Sequence, residues 1–377
     1  MKKAGAEVKV TTTKHALEFV TPLTLQTLSG YPVYSDVFAA INEHSTEHIS
    51  LPDWADLMLV APATASTICK MACGIADNAL TTTFAAMRKP VVIAPAMNDK
   101  MYLSPATQQA IHTLSQWENI TMLECAEGTL ACGTSGKGRM QEIQVLLAAI
   151  EYTLTPKTLM GKRILITAGP TQEAIDPVRY ITNASTGKMG YALAQACLCR
   201  GAHVTLISGP TSIPMEAWLQ FAPLRMVNIV SSEDMYRETT DVFTQERSDI
   251  SILCAAVADF TPMQVSTKKI KKEPNQKNMS VDLKITHDIA AALGQLKQQH
   301  QQLIGFALET HNEIDNAKRK MQSKNLDMIV LNSLQDKGAG FGVDTNKVTL
   351  LYADGRKKCL PLLSKQEVAD AIISELN

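Results

Sequence analysis

The 377-residue sequence has few aromatic side chains, 5% in all, and almost no charge bias, with a formal net charge of −1. A near-neutral chain lacks the basic field that holds nucleic acid, and scarce aromatics leave little to stack single-stranded bases on. No apolar run is long enough to cross a bilayer, and no secretory signal opens the chain, so neither a membrane nor a nucleic-acid partner is expected. The eight cysteines are scattered. That scatter points to reduced cytosolic thiols with no disulfide ladder, and neither Cys69/Cys73 nor Cys197/Cys199 has a second pair at zinc-site spacing, which argues against a structural metal.

What is present is alternation. Apolar strand-like runs at 7–11, 57–62, 91–97, 163–167, 203–208, 250–256, 303–308 and 327–332 are mostly separated by helical stretches such as 65–86 and 189–200. This pattern predicts an α/β fold with parallel sheets covered by helices. The length exceeds one ordinary core, and the pattern pauses at YTLTPKTLM, 152–160. Two domains are expected, 1–152 and 161–377, joined by a linker at 153–160. The opening MKKAGAEVKVTTT reads as the last turn of a helix and then a strand, without the strand and phosphate loop that normally begin a doubly wound domain. Either the chain is shortened or the domain is circularly incomplete.

The most informative stretch is TAGPTQEAIDPVRYITNASTGKMG, 167–190, between the apolar strand RILI and the helix YALAQACLCRGA. It is too long for an ordinary strand-to-helix turn. It carries Asp176, Arg179 and Asn183 and opens onto a helix N-terminus, a combination suited to an anionic ligand. Read structurally, Arg179 is a salt bridge to Asp176 that shapes the loop; read functionally, its fork grips phosphate or carboxylate. Both readings stay open.

In the first half, His48 in TEHISL is a base near neutrality or an idle histidine. Asn98 and Met101 lie in PAMNDKM, at the end of a strand, where turn and core roles compete with ligand binding. Cys132 sits in the glycine-rich loop ACGTSGKGRM, where a thiol is more reactive than in a helix.

Taken in order, TPLTLQTLSGYPV (21–33), EHISL (47–51), APATAS (61–66), GIADNALTTT (74–83), PAMNDKM (95–101) and LACGTSGKGRM (130–140) resemble the flavin-dependent phosphopantothenoylcysteine decarboxylase family over about 5–145. The resemblance implies a flavodoxin-like or Rossmann-like domain binding FMN, with Thr64 and Ser66 among its contacts. It makes His48 the base, places Asn98 and Met101 on the substrate carboxylate and active site, and makes Cys132 the proton donor on a substrate flap. The family's first strand and its flavin phosphate loop fall before Met1, so a shortened start is expected. The chemistry asks for these parts. Decarboxylating a cysteinyl amide needs an electron sink, which oxidation of its thiol through FMN provides, and the resulting enethiolate must then be reduced and protonated.

The connector 167–190, with CAAVADFTP (254–262), KKIKK (268–272), THDI (286–289), GFALET (305–310), KMQSKNLDMIVLN (320–332) and GFGVDTNKVTLL (340–351), resembles phosphopantothenate–cysteine ligases over about 161–375. That implies a Rossmann-like domain that joins the 4'-phosphopantothenate carboxylate to CTP as an acyl-cytidylate, with Mg2+, before the amine of L-cysteine displaces CMP. By the same resemblance Lys269 assists cytidylate formation, Asn183 and Arg179 act on the intermediate, and Ala255 and Ala256 border the substrate. Asp259 contacts nucleotide and Mg2+, and Thr286, His287, Asp288, Ile289, Phe306, Lys320 and Lys324 line the nucleotide site. Lys320 and Lys324, four apart, are expected on one helical face. Homo-oligomers are implied too, dimeric for the ligase part and trimer-based or dodecameric for the decarboxylase part. The expected function is therefore a bifunctional coenzyme A biosynthesis enzyme, with the domains in reverse pathway order. Two alternatives stay open: a ligase whose flavin domain is only a scaffold, and a two-domain NAD(P) oxidoreductase, disfavoured because no compact G-x-G-x-x-G opens either half.

Overall fold

A computed structural model describes all residues except 39–45, 130–132, 134, 216–217, 219–221, 272–277, 310, 334–341 and 377. The chain divides into two units, one of Met1–Thr155 and the other of Pro156–Met215 with Ala222–Asn377.

The first unit opens with a single 3-10 turn, Lys2–Ala4, and β1 (Val10–Thr11), as its sequence suggests. β1 pairs in parallel with β2 (Val33–Tyr34) across α1 (Pro22–Ser29). Thr21 starts α1: its hydroxyl accepts the Thr24 N–H, and Pro22 follows at the first helical position. After α2 (Glu47–Trp54) come β3 (Met58–Ala63), α3 (Ala65–Ala72) and α4 (Ala79–Ala86). The single helical stretch expected over 65–86 is thus two helices. Gly74, at φ +70°, breaks the first, and Asn78 begins the second with a reciprocal capping box to Thr81. β4 (Val91–Pro95), α5 (Asp99–Tyr102), α6 (Pro105–Ser115) and β5 (Ile120–Met122) complete a parallel sheet ordered β3-β4-β5. A hairpin, β6 (Ala126–Thr129) with β7 (Ser135–Arg139), and α7 (Ile143–Leu154) follow. Period-two alternation divides β4 between two cores. Val91 and Ile93 pack with Ile68, Met71 and Leu114, while Val92 and Ala94 pack with Val145, Leu146 and Ala149 of α7. Each such buried aliphatic contributes about 1.5–3 kcal/mol.

The second unit runs β8 (Arg163–Ala168), β9 (Gln172–Ala174), β10 (Tyr180–Thr182), α8 (Lys188–Cys199), β11 (His203–Ser208), β12 (Leu224–Asn228), α9 (Ser232–Gln245), β13 (Ile250–Leu253), β14 (Phe260–Pro262), β15 (Leu283–Ile285) and α10 (Ile289–Leu296). It ends with β16 (Gln302–Glu309), α11 (Glu313–Ser323), β17 (Met328–Ser333), β18 (Thr345–Asn346), β19 (Val348–Tyr352), β20 (Lys357–Cys359), β21 (Leu363–Ser364) and α12 (Lys365–Ile373). Its main sheet is ordered β12-β11-β8-β13-β16-β17-β19-β20. The strands from β12 to β17 are parallel, as the alternation predicts. β19 and β20 are antiparallel because the short turn Ala353–Arg356 joins them. Leu165, Ile207, Leu303 and Ile329 face one core with Met235, Phe243, Leu293 and Met321. Among the described residues no helix is long and apolar enough to cross a membrane.

The first parallel strand of this unit, β8, and the fourth, β13, are neighbours whose following chain segments leave in opposite directions across the sheet. Their carboxyl ends form a topological switch point, where open α/β sheets bind ligands. The turn after β11 crowds this point. A Cβ on Gly209 would lie 1.7 Å from the Pro170 carbonyl oxygen, at the start of the 167–190 connector. Gly209→Ala is expected to destabilise the second unit by about 1–3 kcal/mol, read as a lower urea midpoint. An unchanged midpoint would show that the connector yields there freely.

Candidate active sites

In the second unit, the connector from β8 folds back as the antiparallel hairpin β9–β10 and then enters α8. Gly187 begins α8 without a side-chain cap, so its first-turn N–H groups stand at the switch point. The connector is strapped to the chain leaving β13. The Ala256 N–H donates to the Gly169 carbonyl (2.9 Å), and the Ala258 N–H to the Thr171 hydroxyl (3.0 Å). Asn183 Nδ2 donates to the carbonyls of Ala256 (3.2 Å) and Val257 (2.9 Å). Asn183, Ala255 and Ala256 are therefore gathered at one place, with the Asn183 Oδ1 edge turned away from those carbonyls.

Asp176 lies inside the hairpin with its side chain fully buried. It accepts the N–H groups of Val178 and Arg179, the Arg179 guanidinium, and the Ile270 N–H. The guanidinium, followed by these peptide donors, holds its carboxyl well below the usual carboxylate range. Arg179 also donates to the Ile270 carbonyl (2.7 Å), so both contacts named for it shape the loop. Lys269 is exposed beside Ile270, and its ammonium has no partner among the described residues.

The Asp259 carboxylate is exposed and has no hydrogen-bond partner among the described residues, so it does not act as a helix cap. Its carbonyl accepts the Thr286 N–H (3.0 Å), and the Thr286 hydroxyl donates to the Ala258 carbonyl (2.7 Å). The segment 286–289 is thereby tied to the switch point. Asp288 caps α10 through the Ala291 N–H (3.0 Å), and Ile289 is buried in the core below. His287 stacks on Tyr236, with centroids 4.5 Å apart, and its Nε2 is 3.4 Å from Glu233. Phe306 is half-buried on β16.

α11 ends at Ser323, which leaves Lys324 as its C-cap, one turn on from Lys320, whose carbonyl accepts the Lys324 N–H (3.1 Å). Lys320 pairs with Glu309 (2.8 Å) and Lys324 with Asp288 (2.9 Å). Burial raises the pKa of both acids, but their lysines outweigh it and leave both carboxyls below their ordinary values. Sequence reasoning read Asp176 as the loop-shaping partner of Arg179, which it is, and missed Glu309 as an organising acid. Glu309 ends the GFALET strand, and its position at a strand terminus was the available signal.

In the first unit, the carboxyl ends of β3 and β4 lie side by side, with the Ala96 N–H donating to the Ala63 carbonyl (2.9 Å). Thr64 caps α3 there, and Ser66 is exposed in its first turn. These hydroxyls and helix-start N–H groups suit the polar edge or phosphate of a flavin. Asn98 caps α5, its Oδ1 accepting the Lys100 N–H (3.0 Å), and Met101 is 51% exposed. The hairpin β6–β7 docks on the same segment. The Met97 N–H donates to the Gly138 carbonyl (2.9 Å), and Gly136 packs against Asp99. Cys132 lies outside the described residues. Cys125, before the hairpin, is buried, and burial pushes its thiol up to about 11. It is therefore a poor proton donor near neutral pH. His48 is half-buried on α2, which packs on α4, and has no hydrogen-bond partner among the described residues. Its side chain is not linked to Asn98 or to the hairpin.

Comparison with known proteins follows this division. The Flavoprotein family matches residues 1–155, and the DNA/pantothenate metabolism flavoprotein C-terminal domain family matches 159–377. The coenzyme A biosynthesis bifunctional protein CoaBC of Bacillus subtilis (strain 168) is 48% identical over 378 residues, covering 99% of this chain and 90% of that protein. A cysteine/cysteine sulfinic acid decarboxylase from an unknown prokaryotic organism is 45% identical over 362 residues, covering 95% of this chain and 98% of that protein. The crystal structure of a CoaBC C-terminal domain is 39% identical, with a TM-score of 0.47, over 58% of this chain and 96% of that one. The chain belongs to the family of coenzyme A biosynthesis bifunctional proteins, with a flavoprotein half followed by a pantothenate-metabolism half.

Proposed function

We propose that this chain carries two successive activities of coenzyme A biosynthesis, divided at a linker over 153–160. The second half ligates L-cysteine to 4'-phosphopantothenate at the expense of CTP. The first half decarboxylates the phosphopantothenoylcysteine so formed to 4'-phosphopantetheine. The observation that carries the ligase reading is the convergence at the switch point of an uncapped helix start and the Asn183 amide, with the lysine-bearing segment beside Ile270 bonded to the same connector. Descent from full-length bifunctional relatives weighs against a scaffold-only flavin half and against an NAD(P) oxidoreductase.

In the ligation, a carboxylate oxygen of 4'-phosphopantothenate attacks the α-phosphorus of CTP and pyrophosphate leaves. Lys269 offsets negative charge as the cytidylate forms. Asn183, anchored through Nδ2 on two carbonyls, presents its Oδ1 edge to the acyl group or to the incoming amine. Ala255 and Ala256 leave room for substrate beside it. Asp259 offers one free carboxylate, which suits a Mg2+ ion otherwise held by substrate phosphates and water. Phe306, Thr286, His287, Asp288, Ile289, Lys320 and Lys324 form the nucleotide's surroundings, and the last two reach phosphate by exchanging their carboxylate partners for it.

In the decarboxylation, Thr64 and Ser66 would hold FMN, which supplies the thiol oxidation that creates the electron sink. Asn98 and Met101 orient the substrate carboxylate and its chain, His48 serves as base, and Cys132 gives a proton to the enethiolate carbon. A homo-oligomeric assembly is part of the proposal, with dimeric ligase halves and trimer-based or dodecameric flavoprotein halves. Exposed Val178, Tyr180, Phe260 and Ile285, on or between the strands of the β9–β10 and β14–β15 pairs, suit burial against another copy. None of the seven described cysteines is in a disulfide, which fits a reducing compartment such as the cytoplasm.

Lys269→Ala is expected to slow CMP release roughly a hundredfold or more, while added phosphopantothenoylcysteine is still decarboxylated by the FMN-loaded protein. Unchanged CMP release would remove Lys269 from the chemistry. Cys132→Ser is expected to release CO2 yet form little 4'-phosphopantetheine. A normal yield of that product would mean that the proton comes from elsewhere.

A further inference from the structure

We propose that Asp176 is a positioning residue for the ligation step, its two carboxylate oxygens dividing between the β9–β10 hairpin and the lysine segment so that the Lys269 backbone is held to the connector that reaches the switch point. This rests on the ligase reading above. Oδ1 accepts the N–H groups of Val178 and Arg179, both at 2.9 Å, and so builds the turn between β9 and β10. Oδ2 accepts Arg179 Nε (2.9 Å), Arg179 Nη2 and the Ile270 N–H (3.1 Å). The second oxygen therefore joins the hairpin to a segment 94 residues further along the chain.

The far end of that segment is pinned to the same hairpin. The Ser266 N–H donates to the Ile175 carbonyl (3.0 Å), and the Ser266 hydroxyl donates to the Lys268 carbonyl (2.6 Å). Lys268 and Lys269 sit between these two pins, and their ammonium groups have no partners among the described residues. The segment is thus fixed by its backbone, and its charges remain available to a polyanion.

A carboxylate offers about four lone-pair sites. Asp176 meets five donor contacts and is buried, so in its ionised form it has no lone pair left for a substrate proton or a metal. Positioning is the role such an acid can serve. It matters because small misplacement of a charged group costs rate steeply.

Asp176→Asn separates the two tasks. The amide oxygen can replace Oδ1 in the turn, but the amide nitrogen puts a donor where Oδ2 accepted three. Pyrophosphate release from CTP, measured on the full chain with 4'-phosphopantothenate, is expected to lose about tenfold or more in kcat with little change in the KM for CTP. Trypsin cleavage after Lys268, Lys269 and Lys271 is expected to accelerate by about tenfold. Arg179→Lys, which keeps the charge but loses the fork, should shift both readouts the same way by less, and adding it to Asp176→Asn should cost little more.

Folding lowers the Asp176 pKa, with Arg179 as the charged group that faces it. Its stabilising contribution is therefore full above the ordinary carboxylate range and is lost as pH falls through its depressed native value. The gap in thermal midpoint between wild type and Asp176→Asn should narrow on acidification. Wild-type kcat and an unchanged cleavage pattern in Asp176→Asn would overturn the positioning role. Wild-type protein that releases no pyrophosphate from CTP would instead overturn the ligase reading beneath it.

Discussion

Two neighbouring parallel strands, β8 and β13, end side by side and send their chains opposite ways, and the polar geometry of the second unit depends on how that gap is closed. Backbone N–H and carbonyl groups exposed there must be paired. The connector after β8 pairs them with the chain after β13, through Gly169–Ala256, Thr171–Ala258 and the Asn183 amide. An irregular stretch becomes a defined surface because its own hydrogen bonds are satisfied across the switch point. The helix start of α8 remains uncapped beside it. An anion entering that place meets donors already oriented and need not order a loose loop.

Charge is arranged around this surface in pairs. Glu309 holds Lys320, Asp288 holds Lys324, and Asp176 holds Arg179. The first two pairs are partly exposed, so each ion bond is weak in water and a phosphate can replace the carboxylate. The third is different in kind. Its acid is buried and saturated, which suits it to shaping the backbone. The first unit uses the same economy with backbone bonds alone: the Met97–Gly138 bond and the close approach of Gly136 to Asp99 dock its hairpin on the asparagine-bearing turn.

Much of this was legible in the sequence. RILIT and HVTLIS read as buried strands because their apolar runs are short and rich in β-branched residues, and both are strands. The length of the connector marked 167–190 as more than a turn, but not that Asn183 would meet the end of β13. Other features were hidden for physical reasons. The hairpins β9–β10 and β14–β15 have strands of three residues, too short for any period to show. The break between α3 and α4 turns on Gly74 and the Asn78 capping box, local signals outvoted by a continuous apolar pattern. Helical spacing related Lys320 to Lys324 but could not show that each meets a different acid, Glu309 and Asp288. The Asp176–Ile270 bond spans 94 residues, a separation at which no local pattern carries information.

The most direct test of the carboxylate's passage to cytidine phosphate is isotopic. 4'-Phosphopantothenate labelled with 18O in its carboxylate would be turned over with CTP and L-cysteine, and the CMP produced would be analysed by mass spectrometry. If the carboxylate attacks the α-phosphorus and the amine then displaces CMP, one labelled oxygen appears in the CMP phosphate. CMP without label would contradict the account.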